Sequence, residues 1–455
     1  MRLLVRPLPL AALLLALPVV AGVLPQAAAA PKPDKECKPI KKCVSEPAPT
    51  PAPVAPRVVV ADVDSGINPY HEEFYRGPSE VTPDVLAEFP GVQTITLTRT
   101  GKFDQDLAAD KAVWDSIELG KPYWFAGTNI IGISFDASTP TKILADEGEE
   151  HGVGTASAVL DANPEAIVYF VEGISAESET HAFTHPAVDV VTTSYGFPGS
   201  PPVPFHLENS YKGVVELGKL HFGAADNSPA LSPPDGTSGP WWTIGVAGFH
   251  EDTSGGRELL SGNLVDVVSD FTQSLPYCSD CESGRDEFVS GTSFATPRSA
   301  GTASKILLEA RRAAGHVGGP LVQGGAAPLM VSGGGFELTG WEMRRAFEQA
   351  AAYPGLGDYD PESAVFDDLG TSAPVNPAAP YAQLGWGVFS PDAKYDVIGE
   401  ALARLGVAGT PTREKGADAC AFNNANIDAR HAYWDNVAIG SESFLTTDED
   451  PYLYC

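Results

Sequence analysis

Residues 57–64, Arg-Val-Val-Val-Ala-Asp-Val-Asp, restrict the fold more than any other stretch of the 455-residue chain. Apolar, mostly β-branched residues follow one another without polar alternation. Such a run suits a strand covered on both faces, and strands of that kind belong to parallel sheets with helices on either side. Ser65 and Gly66 read as the turn that ends it. In an open α/β sheet, ligands bind outside the carboxyl ends of the strands. Asp64 holds such a place. Asp62 stands two residues earlier and so points to the same sheet face. Whether its carboxylate repels Asp64 or is capped by hydrogen bonds stays open at this level.

Strand patterns recur at 128–137, 164–171, 187–196, 221–225, 241–248 and 264–269. Helical patterns fall between and after them, at 152–160, 207–220, 299–314, 339–351 and 392–405. In the helix at 339–351, Trp341, Met343, Ala346, Phe347 and Ala350 gather near one face. The alternation predicts an α/β fold with a doubly wound parallel sheet in a single large domain, 57–405.

Ser293 lies in Ser-Gly-Thr-Ser-Phe-Ala-Thr-Pro, residues 290–297. The pattern places it at a helix N-terminus, where free N–H groups and the positive dipole end favour a developing negative charge. An acyl-transfer nucleophile gains most at such a place. An ordinary N-cap serine would read the same way. Pro297 fits a first helical turn.

The stretch 291–297 resembles the nucleophile motif of the subtilisin-like serine peptidases (subtilases, S8-type). Three further stretches follow that family's order. Val-Val-Val-Ala-Asp-Val-Asp-Ser-Gly at 58–66 is similar to its aspartate strand, and Asp62 falls where the family usually has an apolar residue. Glu150-His151-Gly152 resembles its His-Gly motif. Gly-Ala-Ala-Asp-Asn-Ser-Pro at 223–229 resembles the segment that supplies the oxyanion-hole amide, with Asp226 where a glycine is usual. The resemblance implies a triad of Asp64, His151 and Ser293, with Asn227 in the oxyanion hole. Residues 173–180 resemble the segment that pairs with an extended substrate. Ser194, Tyr195 and Gly196 resemble the strand end beside the bound peptide. His151 has Val153 where the family has threonine. Aligned on Gly154 and Thr155 instead, the motif puts Val153 in the place of the base. His71 resembles a structural histidine after the first strand. His181, His185, His206 and His221 read as surface or packing residues. The stretch between Asp64 and His151 is long for the family, which makes some of 74–127 a surface insertion.

The same resemblance implies a serine endopeptidase acting on polypeptide substrates, with no cofactor required for catalysis. Structural calcium is common in the family, but no acidic loop identifies a site. The rival expectation is a catalytically inactive or latent module that binds a peptide or a partner. An esterase on another α/β fold is disfavoured because no Gly-x-Ser-x-Gly elbow surrounds Ser293.

Residues 1–30 have the layout of a secretory signal: Arg2 and Arg6, an apolar run, then Ala28, Ala29 and Ala30. Pro7, Pro9 and Pro18 argue against a spanning helix. The expectation is a secreted, extracellular protein with no membrane attachment after signal cleavage. A formal charge of −30 makes it a poor nucleic-acid binder. Residues 31–56 read as a Pro-rich extension, too short to fold as a pro-domain. Six cysteines in a secreted chain suggest disulfides, and short closures favour Cys37–Cys43, Cys278–Cys281 and Cys420–Cys455. A zinc site from Cys278 and Cys281 lacks two further ligands at metal spacing. Residues 406–455 read as a tail stapled by its cysteines. Oligomeric state has no signature.

Overall fold

Ten strands join in one sheet: β1 (Val59–Asp64), β2 (Gln93–Ile95), β3 (Tyr123–Phe125), β4 (Ile130–Ser134), β5 (Ile167–Glu172), β6 (Val190–Thr193), β7 (Leu220–Ala224), β8 (Ile244–Glu251), β9 (Arg257–Leu260) and β10 (Val267–Ser269). The structure is a computed structural model, and it describes residues 54–196, 204–227, 237–251, 257–260, 265–321, 327–354 and 380–437. The expectations for residues 1–30 and for Cys37, Cys43 and Cys455 lie outside the described residues. The strand order is β10-β8-β7-β6-β1-β5-β4-β3-β2, with β9 paired to β8. β3–β4 and β8–β9 are antiparallel, and the remaining pairs are parallel.

The helices are α1 (Pro83–Leu86), α2 (Phe103–Ala109), α3 (Lys111–Trp114), α4 (His151–Ala162), α5 (Ala176–Thr184), α6 (Pro204–Tyr211), α7 (Thr292–Ala314), α8 (Gly340–Ala350), α9 (Tyr381–Leu384), α10 (Val397–Arg404) and α11 (Ala417–Val437). Two antiparallel pairs, β11 (Thr272–Leu275) with β12 (Asp286–Ser290) and β13 (Leu329–Gly333) with β14 (Phe336–Thr339), and two short non-α helical turns, Glu72–Tyr75 and Lys212–Glu216, complete the described elements.

The period of two in β1 divides the core. Val58 and Val60 pack with Val153, Ala156 and Val159 of α4 and with Ala303, Ile306 and Leu307 of α7. Val59, Ala61 and Val63 pack on the other face with Val85 of α1 and with Ala182 and Phe183 of α5. The sheet is therefore covered on both sides, as its continuous apolar strands require. Asp62 and Asp64 fall on the α4 and α7 face.

Two local expectations change, and the region 74–127 gains detail: β2 and β3 extend the sheet, and Val81, Phe89, Trp114 and Phe125 are buried. Residues 176–184 form α5, opened by a capping box between Ser175 and Ser178, so only the short link before it stays extended. The supposed tail contains α11, whose Arg430 and Trp434 are fully buried and whose Cys420 is disulfide-bonded.

Candidate active site

Asp64 ends β1 at the carboxyl edge of the sheet. One of its oxygens accepts the Ser65 amide at 2.7 Å and lies 3.2 Å from the Ser65 hydroxyl. His151 opens α4, and its Nδ1 lies 2.9 Å from both carboxylate oxygens of Asp64. Val153 is buried in the core and contributes nothing polar. His151, not Val153, therefore faces the aspartate. Gly152 makes this approach possible: a Cβ there would lie 2.3 Å from the Gly66 carbonyl oxygen and 2.6 Å from the Phe170 ring. Burial alone would pull the His151 pKa down. The neighbouring carboxyl groups, Asp64 foremost through its charge and hydrogen bond, outweigh that and hold it above the ordinary histidine value.

Ser293 is the second residue of α7, whose N-cap is Gly291 at φ 150°. That backbone region favours glycine. The helix begins earlier than the pattern at 299–314 suggested, so Pro297 lies inside it rather than in its first turn. The Ser293 amide has no acceptor among the described residues, as expected in the first turn of a helix. Asn227 is tied beside it. Its Oδ1 accepts both the amide and the hydroxyl of Thr292 at 2.9 Å. This leaves its Nδ2 donor near Gly291 and the Ser293 amide. The His151 ring packs against Phe294, with centroids 5.3 Å apart, which brings it to the residue after the serine. The Ser293 hydroxyl itself donates to the Ser194 carbonyl at 3.1 Å and makes no hydrogen bond to His151.

Ser194 follows β6 and returns a hydrogen bond to the Ser293 carbonyl at 2.8 Å. Tyr195 turns inward: its hydroxyl donates to Glu179 at 2.5 Å, and His206 Nδ1 meets the same oxygen at 3.0 Å. Its side chain thus belongs to a buried network, and only its backbone is left to lie beside a bound peptide. Gly196 stays exposed. His206 and His221 are fully buried, and the two hydroxyls of Thr193 and Thr243 flank the His221 ring at 2.9 Å each. Both are packing residues rather than surface ones; His221 has a partner at each ring nitrogen, and His206 has one, Glu179, at Nδ1.

Cys278 and Cys281 form a disulfide. Their loop is held to the turn after β1, where Asn68 donates to the Cys281 carbonyl at 2.6 Å. Tyr277 packs edge-on against Phe294. His71 lies close enough to both sulfurs to make a three-group cluster. The sulfurs are bonded to each other, however. His71 Nδ1 accepts the Glu73 amide, and Nε2 meets the Gly284 carbonyl at 2.9 Å. His71 is a structural residue here.

Sequence reasoning weighed Thr155 only as an alternative alignment point. It stands one helical turn after His151, and its hydroxyl reaches Asp62 at 2.8 Å and Asp64 at 3.3 Å. The spacing of four on α4 was the available signal. Asp62 is not capped by backbone N–H groups: it is fully buried beside Asp64, with the Thr155 hydroxyl as its partner.

No protein-family model and no curated protein matches the sequence. Among solved structures, the prenylagaramide maturation protease PagA is similar at 14% identity and a TM-score of 0.42, covering 77% of this chain and 94% of its own. A lanthipeptide protease matches at 14% identity and a TM-score of 0.44, over 76% and 88%. Sphericase matches at 15% identity and a TM-score of 0.35, over 56% and 78%. Likenesses this distant assign neither a family nor an activity to the chain.

Proposed function

We propose that the chain is a secreted, subtilisin-like serine endopeptidase that cleaves polypeptides through an acyl-enzyme. The observation that carries this reading is the Asp64–His151 pair at 2.9 Å, set beside a serine at the N-terminus of a buried helix. In this reading the Ser293 hydroxyl leaves the Ser194 carbonyl for His151 Nε2 when substrate binds. His151 accepts the proton as Oγ attacks the scissile carbonyl, then delivers it to the leaving amine. Asp64 fixes the Nδ1–H tautomer and stabilises the imidazolium. The Ser293 amide and Asn227 Nδ2 receive the oxyanion. This chemistry needs no metal or organic cofactor. Among the described residues no helix is long and apolar enough to cross a membrane.

One observation favours a second reading, a latent or non-catalytic peptide-binding module: the Ser293 hydroxyl rests on Ser194 rather than on His151. In free enzymes, catalytic hydrogen bonds are often unformed until substrate arrives, so the geometry suits both readings. A serine-directed fluorophosphonate separates them. Labelling mapped to Ser293 by peptide mass spectrometry, and lost in His151→Ala, is the expected result. A folded protein that stays unlabelled sinks the endopeptidase reading.

A further inference from the structure

Asp62 carries a carboxyl group that the mechanism above does not use. It is fully buried on the α4 and α7 face of β1, two residues from Asp64. The Thr155 hydroxyl lies 2.8 Å from Asp62 Oδ2, 3.3 Å from Asp64 Oδ2 and 3.2 Å from the Gly152 carbonyl. A hydroxyl has one hydrogen to give. It cannot donate to all three, and a proton on one of the carboxyl groups turns the shortest of the contacts into a hydrogen bond that the hydroxyl accepts. Asp64 already accepts from His151 and Ser65, as an ionised carboxylate does. The proton therefore belongs to Asp62. Its Oδ1 has no partner among the described residues, a position that a neutral acid tolerates and an anion does not.

We propose that Asp62 is a positioning residue, a neutral carboxylic acid that donates to the Thr155 hydroxyl, which in turn donates to Asp64 and orients its carboxylate toward His151. The inference rests on the catalytic reading of Asp64, His151 and Ser293 and deepens it. Burial, then the charge of Asp64, push the Asp62 pKa well up, which agrees with the geometry. The titratable groups that face Asp62 are Asp64 on its own strand, His151 on α4 and Tyr195 after β6. Two buried anions at this spacing would oppose each other. One acid and one anion, joined by a hydroxyl, hold the pair in one geometry.

The test is the rate of fluorophosphonate labelling of Ser293 as a function of pH, read beside thermal unfolding. Wild-type protein that does not label overturns the catalytic reading and this proposal together. Given labelling, Thr155→Val should slow it about tenfold to a hundredfold, the scale of a misplaced catalytic group. Thr155→Ser, which keeps the hydroxyl, should restore most of the rate at a similar unfolding temperature. Asp62→Val should slow labelling to a comparable degree. Asp62→Asn retains a donor and should recover most of that loss, with the acid limb of the pH profile unmoved. The proposal is overturned if Thr155→Val labels as fast as Thr155→Ser. It is overturned equally if Asp62→Asn lowers the acid-limb midpoint by about one pH unit, since removing a charge beside His151 would do that. Should Asp62→Val fail to fold, the Thr155 pair and Asp62→Asn decide the matter alone.

Discussion

Ser194 and Ser293 exchange hydrogen bonds: the Ser194 hydroxyl donates to the Ser293 carbonyl at 2.8 Å, and the Ser293 hydroxyl donates to the Ser194 carbonyl at 3.1 Å. The first of these has a cause in the sequence. The Ser293 carbonyl would ordinarily accept from the amide four residues on, but that residue is Pro297, inside α7, and it has no N–H. Ser194 fills the gap and ties the end of β6 to the nucleophile. Ser194→Ala should therefore cost about 1 kcal/mol of stability. Pro297→Ala supplies the missing amide, so the double variant should recover most of that loss. Urea unfolding of the single and double variants measures the coupling. Equal stability of Ser194→Ala and wild type would remove the argument.

Asn227 is held by what its carbonyl oxygen accepts from Thr292, and its amide is thereby aimed past Gly291. If that amide meets an oxyanion, Asn227→Ala should lower kcat by about 10²–10³ and leave KM nearly unchanged, because the interaction forms only in the transition state. Steady-state kinetics on a chromogenic peptide would show it. A change confined to KM would place Asn227 in ground-state binding instead.

The acid limb of activity follows from His151. Its burial lowers the pKa, and the neighbouring carboxyl groups, Asp64 foremost, raise it further than burial lowers it. His151 must be neutral to accept the Ser293 proton, so kcat/KM should rise with pH and reach half its maximum above about pH 6.5, the ordinary histidine value. In Asp64→Asn the largest raising influence is gone and burial remains, so the midpoint should fall, with a rate loss on the order of 10³–10⁴-fold. A pH profile unchanged by Asp64→Asn would contradict the assignment.

The sheet and the residues at its edge were legible because each writes a local pattern. The unbroken apolar run of β1 announces a two-sided strand, and Gly291-Thr292-Ser293 announces a helix start. The Thr155–Asp62 contact joins residues far apart in the chain, and no periodicity records it. The same holds for the Ser194–Ser293 exchange. Pro297 was visible, yet its consequence depended on where α7 begins, and helix boundaries are the least certain part of a pattern. The short strands β2 and β3 were missed because three residues hold too little alternation to distinguish a strand from a loop. α11 was missed because its buried side includes Asn423 and Arg430, which carry no apolar signal.

Arg430 is the clearest reason that α11 belongs to the body of the domain. Its guanidinium donates to Asp266 at 2.6 Å and to the carbonyls of Gly239, Pro240 and Thr243 at 2.7, 2.6 and 2.8 Å. Asp266 also accepts from Arg344 at 3.0 Å and from the Gly245 amide at 2.7 Å, and Arg344 pairs with Glu348 at 2.7 Å. Two cations and two anions balance in a site closed to water. Arg430→Met keeps the bulk of the stem but leaves Asp266 with one cation against Glu348 and strands the carbonyls. Breaking a buried pair in this way costs about 3–5 kcal/mol. Thermal unfolding of Arg430→Met should show that loss, and Arg430→Lys should recover little of it, because an ammonium cannot reproduce the planar fork. A wild-type unfolding temperature for Arg430→Met would mean that the Arg430 bonds to Asp266 and the 239–243 carbonyls contribute nothing to stability.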